Sequence, residues 1–110
     1  MVYVDNNATT PLDPAVIKAM AEFMENFGNP SSLYPIGRKV KEKINECREM
    51  VAKALGASRS EIIFTGSGTE ADNFAILGVM DAYPDKREFI TSAIEHPAVL
   101  RTAQYLEKKG

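Results

Sequence analysis

The sequence predicts an α/β fold, a mostly parallel sheet flanked by helices and incomplete in this chain. Three observations carry that expectation. Short apolar runs alternate with longer amphipathic ones in the order helix, helix, strand, helix, strand, helix. The stretch from Phe64 to Asn73 ends one apolar run and opens another through Thr65-Gly66-Ser67-Gly68-Thr69, a strand-to-helix corner. Two or three strands cannot cover a parallel sheet, which needs both faces buried, so the sequence reads as part of something larger.

Bulk properties narrow the classes. With 110 residues the chain is one small domain at most. Hydrophobic residues at 45% and charged ones at 25% are a globular balance. A net charge of −2 gives no electrostatic attraction to nucleic acid or an anionic membrane. The longest apolar run, Phe74 to Met80, is too short to span a bilayer. Met1-Val2-Tyr3-Val4-Asp5 has neither the basic nor the apolar region of a secretion signal. The single cysteine, Cys47, permits no internal disulfide and fits a reducing compartment, so a cytoplasmic protein is expected.

Val2-Tyr3-Val4 reads as a very short strand. Asp5-Asn6-Asn7-Ala8-Thr9-Thr10-Pro11 then breaks regular structure. Its polar side chains suit a substrate site, but a connecting loop with local hydrogen bonds explains them more simply. Asp13-Pro14 starts a helix with an acidic N-cap and proline at the first helical position. Val16, Met20, Phe23 and Phe27 give it one apolar face, read as core, and Gly28-Asn29-Pro30 stops it.

Gly28 to Gly37 is a second loop, whose prolines and glycines argue a defined path. Tyr34 is its one residue with obvious chemistry, and a partly buried ring with a satisfied hydroxyl is the simpler account. Arg38 to Leu55 is a long amphipathic helix with Val40, Ile44, Cys47, Val51, Ala54 and Leu55 on its apolar stripe. Its Lys, Glu and Arg residues read as a solvated face. Cys47 lies in the stripe and reads as a small buried hydrophobe rather than a nucleophile.

Glu61 to Thr65 is the next strand. The helix after the glycine turn is apolar nearly all round, which predicts burial on most sides, and Gly78 within it suggests close packing. Tyr83 to Lys86 is a turn, and Glu88 to Ser92 a short strand. His96-Pro97 opens the last helix, Ala98 to Lys109, with Gly110 as its cap.

The corner at Gly66 to Thr69 carries the chemistry. Helix N-termini expose free N–H groups and partial positive charge, which suit a phosphate when glycines let the backbone come close. Ser67 at the N-cap and Glu70 at the third helical position also form a capping box, which explains those two residues without any ligand. Gly68 and Thr69 are left unexplained by capping, and their N–H groups with the Thr69 hydroxyl can hold an oxyanion. A Walker A loop is excluded because no Gly-Lys-Ser/Thr closes the turn. Gly66-Ser67-Gly68 followed by Thr69-Glu70-Ala71 is a poor dinucleotide fingerprint, and neither Asp85 nor Glu88 ends a strand as a ribose-binding acid should. His96, the only histidine, stands at the end of the following strand, where ligands of open α/β sheets gather. No residue set suggests a metal.

Four motifs recur in order and spacing: Tyr3-Val4-Asp5-Asn6-Asn7-Ala8-Thr9-Thr10-Pro11, Phe27-Gly28-Asn29-Pro30-Ser31-Ser32, Thr65 to Asn73, and Glu95-His96-Pro97-Ala98-Val99. Together they resemble the cysteine desulfurases of the class V aminotransferase group, over the whole length of the chain. The resemblance implies the fold-type-I architecture of pyridoxal 5'-phosphate enzymes, with residues 1–13 as an N-terminal arm and 14–110 as the first part of the cofactor-binding large domain. It implies that Gly68 and Thr69 bind the cofactor phosphate and that His96 stacks on the pyridine ring and takes part in proton transfer. The implied reaction removes sulfur from L-cysteine, leaving alanine and an enzyme persulfide for iron–sulfur assembly through a sulfur-acceptor scaffold protein. A homodimer is the family's usual state.

The departures are equally definite. The lysine that binds the cofactor, the acid that pairs with its ring nitrogen and the persulfide cysteine all fall beyond residue 110, and Cys47 matches no catalytic position. Tyr34 stands where many relatives carry histidine. The chain alone is expected to be inactive. The alternatives are a non-catalytic remnant or binding module of the same fold, or a related lyase such as a selenocysteine lyase.

Overall fold

The computed structural model describes residues 2–110. They fall into two compact units, one ending at Ile62 and the other spanning Ile63–Gly110.

The first unit contains α1, Pro14–Met24, and α2, Pro35–Leu55, followed by a 3-10 turn, Arg59–Glu61. Asp13 caps α1 as the sequence requires, its Oδ1 accepting the Ala15 N–H at 2.7 Å. α1 ends earlier than the apolar spacing predicts, and Phe27 lies outside it. The reason is Asn26, whose side-chain amide reaches back to the Glu22 and Phe23 carbonyls at 3.3 and 3.4 Å and satisfies the last turn. No residue of α1 is buried, so its Met and Phe stripe is not core here. Among the described residues no other element packs against it.

α2 begins three residues before Arg38, with Pro35 in its first turn. Gly37 is buried because the loop before the helix folds onto it. A Cβ there would strike the Asn29 carbonyl oxygen and come within 2.7 Å of Ser32 Cβ. The helix ends in a Schellman motif: Gly56 takes φ 66°, and the Ala57 N–H reaches the Ala52 carbonyl at 2.9 Å. Gly37, Val40 and Ala52 form the buried face, with Ile44 and Cys47 half-buried. Val51, Ala54 and Leu55 are exposed, contrary to the expected stripe. The face has rotated toward the 3-10 turn, and Arg48 goes with it. Its Nε donates to the Ile62 carbonyl at 3.2 Å and its Nη1 to Asn45 Oδ1 at 3.0 Å, so this arginine does not belong to a solvated face.

The second unit pairs α3, Gly68–Ala82, with α4, Pro97–Lys109. Both begin and end where the sequence signals placed them. α4 closes on Gly110, whose N–H reaches the Leu106 and Glu107 carbonyls at 3.2 and 3.4 Å. α4 covers only one stripe of α3, with Asn73, Ile76, Leu77 and Met80 half-buried. The predicted burial on most sides is not observed: Phe74 is 60% exposed. An added Cβ at Gly78 would meet nothing within 4 Å, so no close neighbour explains that glycine.

The helices agree with the α/β expectation, and the sheet, expected to be incomplete in this chain, is not formed among the described residues. Among the described residues there is no strand, and residues 2–4, 62–65 and 88–92 run without regular structure. A strand exists by pairing its backbone with a neighbour, and no ladder joins these segments. Glu61, expected to open a strand, closes the 3-10 turn instead.

Candidate functional site

The Gly66–Thr69 corner is built from local hydrogen bonds. Ser67 caps α3, its Oγ accepting the Glu70 N–H at 3.2 Å. Glu70 Oε2 accepts from the Gly66 N–H at 2.6 Å, so the reciprocal half of the box lands one residue before the cap. Thr65 Oγ1 donates to the Ser67 carbonyl at 3.1 Å and steadies the turn from the other side. Among the described residues nothing accepts from the N–H groups of Gly68 and Thr69, and the Thr69 hydroxyl has no partner. Gly68 does not need to be glycine for packing, since a Cβ there meets nothing within 4 Å. Three donors and an uncrowded backbone therefore face outward at the positive end of a fifteen-residue helix.

His96 is the N-cap of α4, and its Nδ1 accepts the Ala98 N–H at 3.2 Å. That bond fixes the neutral ring as the tautomer with its proton on Nε2, because the backbone can only donate. The ring thus has a fixed role at its inner nitrogen and a free N–H at the other.

The α3–α4 pairing brings the two together. Thr69 and His96 line one open groove of about 540 Å³, with Asn73, Arg101, Thr102 and Tyr105 beside them. Sequence reasoning reached Thr69 and His96 and missed the last four. Thr102 had a readable signal, a hydroxyl on the face of α4 that also carries Ala98, Val99 and Leu106. The groove presents Thr69 on one side and the His96 ring on the other, and Gly68 is not among its lining residues. Tyr34 belongs to the first unit, with an exposed ring and, among the described residues, no partner for its hydroxyl. Tyr3 holds the N-terminal loop, its hydroxyl 2.6 Å from the Asp5 carbonyl and 3.0 Å from that of Thr9, which favours the simple reading of that loop. Cys47 is a half-buried free thiol in the first unit.

Residues 2–110 match the family model of the class-V aminotransferases. The chain belongs to this family. It is 54% identical to a cysteine desulfurase IscS of Methanosarcina thermophila, covering 99% of this chain and 28% of that protein. Against the cysteine desulfurase NifS of Azotobacter vinelandii the identity is 48%, again over 99% of this chain and 28% of the relative. Among solved structures, a NifS-like protein superposes with a TM-score of 0.91 at 45% identity, covering 99% of this chain and 30% of that one. The chain spans about 28% of the length of the curated relatives it matches.

Proposed function

We propose that this chain is the N-terminal segment of a cysteine desulfurase dependent on pyridoxal 5'-phosphate, which removes sulfur from L-cysteine to give alanine and a persulfide for iron–sulfur cluster assembly. The observation that carries the reading is the shared groove of Thr69 and His96. Its donors match an anionic group on one side and an aromatic ring on the other. Identity near half with proteins named cysteine desulfurase, along the whole chain, supports the same reading.

Residues 1–13 are the N-terminal arm, and 14–110 begin the cofactor-binding domain. Gly68 and Thr69 hold the phosphate through backbone N–H groups and one hydroxyl. His96 would stack on the ring, leaving its Nε2 N–H to take part in proton transfer. The bound cofactor supplies an electron sink for the substrate Cα. The segment alone is inactive, since the cofactor-binding lysine and the persulfide cysteine lie outside it. Its apolar surface agrees: Val4 is 84% and Ile94 94% exposed, surface of the kind that further chain or a second subunit covers. A cytoplasmic homodimer that passes sulfur to a scaffold protein completes the proposal.

The test uses the full-length protein carrying this segment, loaded with pyridoxal 5'-phosphate and given L-cysteine. Alanine and persulfide sulfur should appear in equal amounts. No cofactor uptake points to a non-catalytic remnant, and turnover of selenocysteine alone points to a selenocysteine lyase.

A further inference from the structure

Thr102 is a polar side chain buried in the second unit, 4% exposed, on the middle of α4. Burying a hydroxyl is unfavourable unless it is bonded, and valine would fill the same space without that penalty. The Thr102 oxygen lies 2.7 Å from the Ala98 carbonyl and 2.7 Å from Asn73 Oδ1 on α3. The Ala98 carbonyl already receives the helical N–H four residues on, so it does not need the hydroxyl. Asn73 Oδ1 has no other donor among the described residues. The hydroxyl proton therefore matters most to Asn73.

Asn73 passes the constraint along. Its Nδ2 donates to the Thr69 carbonyl at 2.8 Å, in the turn whose N–H groups face outward. With Nδ2 committed to a carbonyl, Oδ1 must be the atom facing Thr102, so the amide orientation follows from the bonds. On the other helix, the Ala98 residue touched by Thr102 gives its N–H to His96 Nδ1. The path thus runs from Thr69 through Asn73 to the Thr102 hydroxyl, and on through the backbone of α4, where the Thr102 N–H bonds the Ala98 carbonyl and the Ala98 N–H goes to His96 Nδ1. It crosses between two helices at one hydroxyl.

We infer that Asn73 and Thr102 are positioning residues that hold Thr69 and His96 at a fixed separation, so that the phosphate corner and the ring face act as one rigid clamp. The inference rests on the proposed roles of Thr69 and His96. Both residues line the groove, and the role assigned to them acts through Thr69 and His96. A hydrophobic contact would join the helices equally well but would let α4 slide and turn against α3. A single-donor bond to an amide that is itself fixed permits one register.

The test is Thr102→Val and Thr102→Ser in the full-length protein loaded with pyridoxal 5'-phosphate. Thr102→Val should release the cofactor about fivefold faster, the loss of one buried hydrogen bond, and shift the absorption band of the bound cofactor. It should lower kcat with KM for L-cysteine little changed. Thr102→Ser should restore release rate, band and kcat together, even if both variants melt earlier. Asn73→Ala should reproduce the valine effect, and Asn73→Ala with Thr102→Val should add nothing further. In the cofactor-free protein, the ring nitrogen shifts of His96 should move in Thr102→Val and return in Thr102→Ser. Wild-type release, band and ring shifts in Thr102→Val, with cofactor loss in Thr69→Ala, would overturn the positioning role alone. If the wild-type protein takes up no cofactor, the functional reading falls, while the His96 ring shifts still decide whether the hydroxyl positions that ring.

Discussion

The Glu70 carboxylate accepts the Gly66 N–H at 2.6 Å, one residue ahead of the place a capping box would put it. The displacement matters for function. Glu70 closes the turn from inside and Ser67 takes the Glu70 N–H, so neither uses the N–H groups of Gly68 or Thr69. The corner is shaped without a ligand and still leaves its donors open. Glu70→Ala should therefore lower the stability of the full chain by about 1 kcal/mol, the usual worth of a helix cap. Hydrogen exchange at the Gly66 amide should speed up with it. Glu70→Gln keeps an acceptor and should lose less.

Thr69→Ala removes the one side-chain donor of that corner. A hydrogen bond to a charged phosphate is worth about 1.5–3 kcal/mol, so affinity for pyridoxal 5'-phosphate should fall roughly 10- to 150-fold. Equilibrium dialysis on the full-length protein reads this directly. Thr69→Ser should retain most of the affinity. Unchanged binding in the alanine variant would move the phosphate elsewhere.

His96 has two separable duties, a cap and a ring. Its Nδ1 caps α4 through the Ala98 N–H. Asparagine caps helices well and has no aromatic face. His96→Asn should keep stability near wild type while changing the cofactor spectrum and slowing turnover. His96→Ala should do both and also destabilise by about 1 kcal/mol. If His96→Asn turns over at the wild-type rate, the histidine is a cap and nothing more.

What the sequence made legible, and what it hid, follows from the range of each interaction. Asp13, Gly56, Ser67, Pro97 and Gly110 act within a turn of their own position, so helix ends could be read from them, whereas Pro35 opens α2 inside a stretch the sequence assigned to a loop. Phe27 misled because periodicity cannot see the Asn26 amide reaching back to end α1. Arg48 misled because the Ile62 carbonyl it binds is fourteen residues away. The sheet was expected from apolar runs at 61–65 and 88–92, but pairing is a property of two segments, and these do not pair with each other. At the site, Thr69 and His96 were visible as chemistry. The bond between Asn73 and Thr102 was invisible because it joins residues 29 positions apart.

The turn after α2 offers a pH test. Glu61 Oε2 accepts from the Ser58 hydroxyl at 2.6 Å and from the Ser58 N–H at 2.7 Å. These bonds, the hydroxyl first and the backbone second, lower the Glu61 pKa below its ordinary 4.5. A group whose folded pKa is depressed stabilises the fold above its unfolded pKa and loses that contribution as pH falls through the folded value. The loss should thus begin near the ordinary carboxylate range and finish below it. Ser58→Ala should bring the Glu61 titration, followed by its side-chain carboxyl carbon, back upward. An unmoved titration would mean the hydroxyl does not make this bond in solution.

Gly37 sets two opposed effects against each other. It lies inside α2, where alanine is favoured over glycine by about 1 kcal/mol. A methyl group there would meet the Asn29 carbonyl, Ser32 Cβ at 2.7 Å and the Ser32 carbonyl oxygen at 3.2 Å. Two of those three are backbone atoms, and the loop that carries them is not free to retreat. Asn29 Oδ1 accepts the Ser31 N–H at 2.9 Å, and the Asn29 carbonyl accepts that of Ser32 at 3.0 Å. Forcing a methyl into a packed site costs roughly 1–3 kcal/mol, which equals or exceeds the helix gain. Gly37→Ala should therefore be destabilising by up to about 2 kcal/mol in denaturant unfolding of the full chain. It should also raise protease sensitivity between residues 28 and 34, because the loop yields before the helix does. A stabilised Gly37→Ala would show that helix propensity wins, and that the loop does not rest on the first turn of α2.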